Sequence, residues 1–270
     1  MSQKLSDTIL AFNGSDARTV LQGQTTRNFA KAATRSVLEG AFCDLKGRVI
    51  ADFCAVVLRD DHILLRTDSE VAVALTDHLK KYLMFSKTQI TASDLSVWAC
   101  KTSDTAGHSI TEPLITLAKP GGFAEVWSKS EPKMGEAVDV NSFHANRLQW
   151  GEARLFKPTI GKYLPQDLNY DVEGRVDFDK GCYTGQEIIA RLHYRGEPKR
   201  RLRLLSVSEG IQPALGEKVV NSDGKTLGSV VDYAVSNGQC LCLCELVLDI
   251  DQQAAHICES VASASELQYF

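Results

Sequence analysis

The chain of 270 residues has no C-x-x-C pair among its eight cysteines, and its charge has no strong bias of either sign. It also lacks any apolar run near the ~18 residues that mark a membrane-spanning helix. Each absence removes a class of protein. Without C-x-x-C, zinc ribbons and thioredoxin-type redox motifs have no starting point. Without a long apolar run, no membrane span is expected. Lys+Arg total 30 against 34 Asp+Glu, a net charge of -4, which argues against a strongly basic nucleic-acid binder and leaves room for a local basic patch. The opening MSQKLSDTILAFNGS has neither a basic n-region nor an apolar h-region, so a secretory signal is not expected. A cytoplasmic location with reduced thiols follows as the expectation. The patterns G-x-G-x-x-G, H-E-x-x-H and G-x-S-x-G are missing too. Gly224-Lys225-Thr226 has the end of a phosphate loop, but Val219 stands where the first glycine is needed.

What is present reads as an ordinary globular chain, 44% hydrophobic and 24% charged. Up to about Arg203, helical and strand patterns alternate. Ser15, Ser69 and Ser142 are candidate N-caps of three helices, the second carrying Val71, Ala74, Leu75, Leu79 and Tyr82 at helical spacing. Residues 35–67 read as strands, with turns at Asp44–Gly47 and Asp60–Asp61. Thr88–Ala92 and Leu95–Cys100 read as strands around a Ser93-Asp94 turn, and 101–140 is weakly patterned. This mixture points to α+β with antiparallel sheet. Beyond Arg203 the helical signal fades. Asp223-Gly224 and Asn237-Gly238 supply the positive φ angles of tight hairpins, so a small antiparallel β domain is expected there.

Charge is uneven as well. Arg191, His193, Arg195, Lys199, Arg200, Arg201 and Arg203 form a basic cluster, whereas Asp232, Glu245, Asp249, Asp251, Glu259 and Glu266 follow a last cation at Lys225. A solvated basic face and an anion site are both open readings.

The most unusual segment is Lys180-Gly181-Cys182-Tyr183-Thr184-Gly185-Gln186-Glu187, ahead of a helical stretch through Arg191. A thiol close to a helix N-terminus, with Lys180 beside it, is expected to favour thiolate, the form that attacks electrophiles or binds soft metals. Gly181 and Gly185 would shape the loop. From the segment alone, a reactive thiol and a buried structural one both remain open. Cys240, Cys242 and Cys244 alternate with leucines, so on a strand they share one face. Neighbours at i and i+2 are nearly ~7 Å apart, which favours core packing over a shared zinc, and no metal site is expected.

The Lys180–Glu187 segment resembles the signature of the YgfZ family of folate-binding proteins, in the superfamily of the glycine cleavage T-protein, an aminomethyltransferase. Further segments occur in the family's order: Gly14–Arg18 with Leu21–Thr26, Cys43–Arg48 (C-D-L-K-G-R), Leu79–Lys87 (L-K-K-Y-L-M-F-S-K), and Leu164–Asn169 with its P-Q-x-x-N spacing. The resemblance implies a three-subdomain ring of the aminomethyltransferase-like fold, α+β, with antiparallel sheets, flanking helices and a C-terminal antiparallel β-barrel. On this reading residues 1–197 form the folate-binding region, as two interleaved subdomains, and 198–270 the barrel. It implies tetrahydrofolate as cofactor and a role in assembling or maintaining iron–sulfur enzymes, including the radical enzymes that thiolate tRNA, so the protein would act on tRNA indirectly, with no direct nucleic-acid contact. It also implies a transferase-like activity as the alternative, moving one-carbon units on folate. Cys182 would be the reactive group, helped by Lys180. Gln186 and Glu187 would bond the loop backbone or the pterin, Arg191 would pair with a carboxylate, and Phe143 would stack on the ring. Two departures stand out. Asp7 aligns with an N-terminal aromatic of some relatives. Leu155–Pro165 holds none of the carboxylates that T-protein relatives use around the pterin, which weighs against aminomethyl transfer.

Overall fold

The computed structural model describes residues 2–102, 107–133, 138–208, 210–248, 255–265 and 267. In chain order its elements are β1 (Gln3–Lys4), β2 (Asp7–Asn13), α1 (Ala17–Gln24), β3 (Ser36–Cys43), β4 (Val49–Arg59), β5 (His62–Asp68), α2 (Ser69–Leu83), β6 (Gln89–Ala92), β7 (Ser96–Lys101), β8 (Ser109–Thr111), β9 (Leu114–Lys119), β10 (Phe123–Ser128), α3 (Val140–Gln149), α4 (Gln186–Arg195), β11 (Arg200–Ser208), β12 (Lys218–Val220), β13 (Thr226–Ser236), β14 (Gln239–Val247), β15 (Ala255–Ile257) and β16 (Ser260–Ser265). The strands build two five-stranded sheets, ordered β1-β7-β10-β9-β8 and β3-β4-β5-β2-β6, and a closed barrel, β11-β14-β13-β12-β15-β16. All the strand pairs are antiparallel.

The second sheet is buried on both faces, and its sequence shows why. Leu10 and Phe12 of β2, with Ala51, Phe53, Ala55 and Val57 of β4, turn toward α1 and α2. The alternate residues Ile9 and Ala11, with Cys54, Val56 and Leu58, turn toward the first sheet, where Val97, Ile115, Leu117 and Trp127 meet them. Period-two alternation with apolar residues in both phases is what a strand between two layers requires. Helix α2 covers the outer face through Val71, Leu75 and Leu79, one turn apart on one stripe, all fully buried. Each such side chain contributes roughly 1.5–3 kcal/mol by leaving water.

In the barrel, Leu205, Val207, Val219, Leu227, Val230 and Leu246 fill the interior together with Cys240, Cys242 and Cys244. The Cys240 and Cys242 sulfurs lie 3.7 Å apart, and all three thiols are buried as core side chains. Leu202, Leu204, Leu241 and Leu243 face outward and pack on Ala145 and Leu148 of α3, joining the barrel to the rest of the molecule. The Asn237-Gly238 turn has φ of 52° and 76°, the left-handed pair a tight hairpin needs.

The structure corrects several local readings. The serines do not cap the helices. Asp68 and Asp139 accept the first free backbone N–H groups of α2 and α3, from Glu70 and Val71 and from Asn141 and Ser142. A carboxylate at that position also complements the helix dipole. Asp16 occupies the cap of α1 without a side-chain bond to it, accepting instead from the Lys87 N–H at 2.8 Å. The strands around Ser93-Asp94 do not form a hairpin, because β6 pairs with β2 whereas β7 pairs with β1 and β10. The weakly patterned stretch holds β8, β9 and β10, with Trp127 fully buried. The two expected hairpins share one long strand, β13, bent by a bulge between Val230 and Asp232. Asp249, Asp251 and Glu266 lie outside the described residues.

Candidate functional site

The residues singled out from the sequence fall in two separate places. The first is a cavity of about 250 Å³ where the two open sheets meet α3. Phe143 and Arg147 of α3 line it, with Trp150 and Glu152 just beyond the helix. Glu39 comes from β3, Lys119 from the end of β9, and Glu173 and Arg175 from the segment before the signature. Phe143 is 3% exposed and meets Phe123 edge-on at 5.8 Å between ring centroids.

The cavity's polar wall is an ion network. Lys119 reaches Glu39 at 2.9 Å and Glu152 at 3.1 Å. Arg175 reaches Glu39 at 3.2 Å and Glu173 at 2.8 Å. Behind it, Arg66 grips Glu125 through two bonds of 3.0 and 2.9 Å, and Arg154 pairs with Asp7. Asp7, aligned with an aromatic in relatives, therefore belongs to this support layer and not to the cavity lining. Burial works against the Glu39 charge, but Lys119 and Arg175 overcome it and hold the carboxyl below its ordinary range. Glu152 is held low against burial by Lys119. Glu173 goes the other way. Burial, reinforced by the Glu152 and Glu39 charges and only partly offset by Arg175, pushes it up to about 8. Its Oε1 is buried without a hydrogen-bond partner, as is Nε of Arg147. Both residues line the cavity, but these two atoms have no accessible surface and lie behind its wall.

Residues 155–165 do not line this cavity. Acidic groups reach the cavity from Glu39, Glu152 and Glu173, which lie in other segments. Each is an isolated residue in an unremarkable local pattern, so only the fold could bring them together.

The second place is the Lys180–Glu187 loop. Cys182 is exposed, four residues before the first residue of α4. Lys180 is buried, and its Nζ donates to the carbonyl oxygens of Gln22, Thr25 and Arg27 at 2.7, 2.6 and 2.7 Å. It also lies 4.7 Å from the Tyr183 ring centroid. Burial pushes the Lys180 amine down to about 8. Its bonds fasten the loop to the end of α1, and none of them goes to the thiol. Thr184 adds an N–H bond to the Gly23 carbonyl at 3.1 Å and a hydroxyl bond to Gln24 at 3.1 Å. Gln186 Oε1 accepts from the Tyr183 N–H at 3.3 Å, closing the loop on itself. Glu187 and Arg191 are exposed on α4.

The two loop glycines differ. Gly185 has φ of 86°, and a Cβ there would sit 2.5 Å from the Asp44 carbonyl oxygen, so only glycine lets the Cys43–Arg48 turn pack against the loop. At Gly181 the nearest atom to an added Cβ is 3.9 Å away and φ is not left-handed, so that glycine is not needed for the loop's shape. The Leu164–Asn169 segment supports the loop from behind: Gln166 Nε2 donates to the Ile189 carbonyl at 2.9 Å, and Asn169 bonds both backbone groups of Leu202. Of the predicted site residues, only Phe143 lines the cavity; Cys182, Lys180, Gln186, Glu187 and Arg191 do not. In the basic cluster, Arg201 is bound by Asp171 at 2.6 Å and Arg200 by Glu245 at 3.1 Å, so both are internally paired. Among the described residues, no helix is long and apolar enough to cross a membrane.

Two antiparallel sheets with a closed barrel give the chain an aminomethyltransferase-like fold. The chain superposes on the crystal structure of glycine cleavage system aminomethyltransferase T from Bartonella henselae with a TM-score of 0.72, over 98% of this chain and 84% of that one, at 12% identity. Sequence relatives are more specific. The chain is 29% identical to tRNA-modifying protein YgfZ of Aliivibrio fischeri over 97% of its own length and 89% of the relative's. It is 31% identical to the protein of that name from Vibrio atlanticus over 72% of its own length and 65% of the relative's. No protein-family profile matches the chain. The chain is a homologue of the YgfZ proteins.

Proposed function

We propose that the protein binds tetrahydrofolate in the cavity, with the pterin against Phe143, and serves iron–sulfur enzymes that modify tRNA. The observation that carries the folate reading is the cavity itself: an aromatic wall at Phe143 and Trp150 beside the charged side chains of Glu173 and Arg147. A flat heterocycle with polar edges needs both. Phe143 and Trp150 would hold the ring faces, and Glu173 and Arg147 its polar edge. Bound tetrahydrofolate supplies a carrier for one-carbon units.

The tRNA link rests on homology to proteins named as tRNA-modifying. The exposed thiol of Cys182, on a loop held by Lys180 and Gln186, suits transient contact with a partner protein or a cluster fragment. Glu187 and Arg191, exposed on the following helix, would meet that partner, not the pterin. The carboxylates around the cavity favour a second reading, one-carbon transfer on the bound folate, since Glu173 can hold or release a proton near neutral pH.

A crystal structure of the protein soaked with tetrahydrofolate tests the proposal. Pterin density against Phe143, within hydrogen-bond reach of Glu173, is the expected result. Folate bound only elsewhere, or at the Cys182 loop, would overturn it.

A further inference from the structure

Of the carboxylates in the cavity wall, Glu39 is the most open. Its side chain is 30% exposed, against 12% for Glu152 and 7% for Glu173. It stands opposite Cys54, on the face of the second sheet that turns toward the first. Strand β3 is the edge strand of that sheet, and the cavity lies beside it. Arg27 fixes the local backbone by donating to the Glu39 carbonyl at 3.2 Å. The two carboxylate oxygens differ. Oε1 accepts from the Lys119 ammonium at 2.9 Å. Oε2 lies 3.2 Å from Arg175 Nη2, an ion contact without a hydrogen bond, and unlike Glu173 Oε1 it is not sealed behind the wall. Burial is the largest influence on this carboxyl, so its exposed part opens on the cavity and not on bulk water. Lys119 and Arg175 nevertheless keep it ionised. An ionised carboxylate can only accept, with about four lone-pair sites to fill. Oε2 is therefore an open acceptor facing the space a ligand would occupy.

We propose that Glu39 is the specificity-determining residue of the cavity, accepting through Oε2 from the amino-bearing edge of the bound heterocycle. This assignment rests on the folate reading and makes it specific. A pterin carries its 2-amino group next to a ring N–H, two donors on one edge. The 2-oxo counterpart sets an acceptor against the carboxylate, so lone pairs face each other and an enclosed charge loses its bond. The cavity therefore selects 2-amino-4-oxo rings over 2,4-dioxo rings. A site whose enclosed polar group is left unpaired by the wrong ligand discriminates strongly. Replacing Glu39 leaves each cation a second carboxylate, Lys119 at Glu152 and Arg175 at Glu173, so the wall tolerates the change.

Equilibrium binding of tetrahydrofolate and of its 2-deamino-2-oxo analogue to the full chain, anaerobically at neutral pH, tests this. The wild-type protein should prefer tetrahydrofolate by about tenfold or more, the effect of one lost hydrogen bond to a charged group. Glu39→Gln, whose amide can donate to the 2-oxo group, should bring the ratio close to one by weakening tetrahydrofolate and strengthening the analogue. Glu39→Asp keeps the charge but withdraws the oxygens by one methylene, and should also lower the ratio. Circular dichroism melts identify any variant that fails to fold, and the wild-type ratio and the other variant then decide. Equal binding of the two ligands by the wild-type protein overturns the assignment and leaves the folate reading standing. Failure of both to bind overturns the folate reading and this assignment with it. A wild-type preference for tetrahydrofolate that persists unchanged in folded Glu39→Gln overturns the role given to Glu39.

Discussion

Lys180 Nζ donates to the carbonyl oxygen of Thr25 at 2.6 Å, and through it the cysteine loop is fastened to the end of α1. The residue beside the thiol is therefore an anchor. Lys180→Met should leave the Gln22, Thr25 and Arg27 carbonyls without their donor and destabilise the protein by about 1–3 kcal/mol. Hydrogen exchange should rise first across residues 180–185. An unchanged melting temperature and unchanged protection would show that the bonds are dispensable.

The loop's glycines should behave differently. Gly185→Ala forces a Cβ against the Asp44 carbonyl at a left-handed φ of 86° and should cost on the order of 2 kcal/mol or more. Gly181→Ala meets open space and should stay within about 0.5 kcal/mol of wild type. Urea unfolding of the two variants separates them; equal losses would contradict the geometry.

Glu173 makes stability depend on pH. Its carboxyl is raised from 4.5 to about 8 in the folded protein, chiefly by burial, so the folded state holds a proton the unfolded chain has released. The stability it lends is full below the unfolded value and is lost as pH rises through the window between 4.5 and about 8, by at most ~1.4 kcal/mol per pH unit. Glu173→Gln keeps the shape and removes the titration. Its unfolding free energy should gain on the wild type as pH rises from acid to pH 8. A constant difference across that range would refute the assignment.

Cys182→Ser changes an exposed side chain and should leave the melting temperature within a degree or two. In cells lacking the protein it should fail to restore cluster-dependent tRNA thiolation, measured by mass spectrometry of tRNA nucleosides. Full restoration would remove the thiol from the account.

The legible parts of this chain were those with local repetition or local rarity. The hairpins announced themselves through Asp223-Gly224 and Asn237-Gly238, and α2 through the spacing of Val71, Leu75 and Leu79. The K-G-C-Y-T-G-Q-E loop and the Cys43–Arg48 turn were visible as motifs, and the structure packs them together at Gly185. The cavity was not legible. Glu39, Lys119, Glu152, Glu173 and Arg175 come from separate segments, and each looks like a surface charge until the fold buries it. Phe143 was found only through resemblance. The strands of 101–140 were passed over although Gly121-Gly122, with φ of 71° and 75°, is a hairpin signal that joins β9 to β10. Helix starts were misplaced onto serines because Asp68 and Asp139, close by, do the capping.

The central claim is that the cavity at Phe143 holds a pterin, and Trp150 in its wall reports on it directly. Tryptophan fluorescence should be quenched saturably by tetrahydrofolate well below millimolar concentration, with most of the quenching lost in Trp150→Phe and the affinity lowered at least tenfold in Phe143→Ala. Fluorescence unchanged up to millimolar tetrahydrofolate, or quenching identical in wild type and both variants, would contradict it.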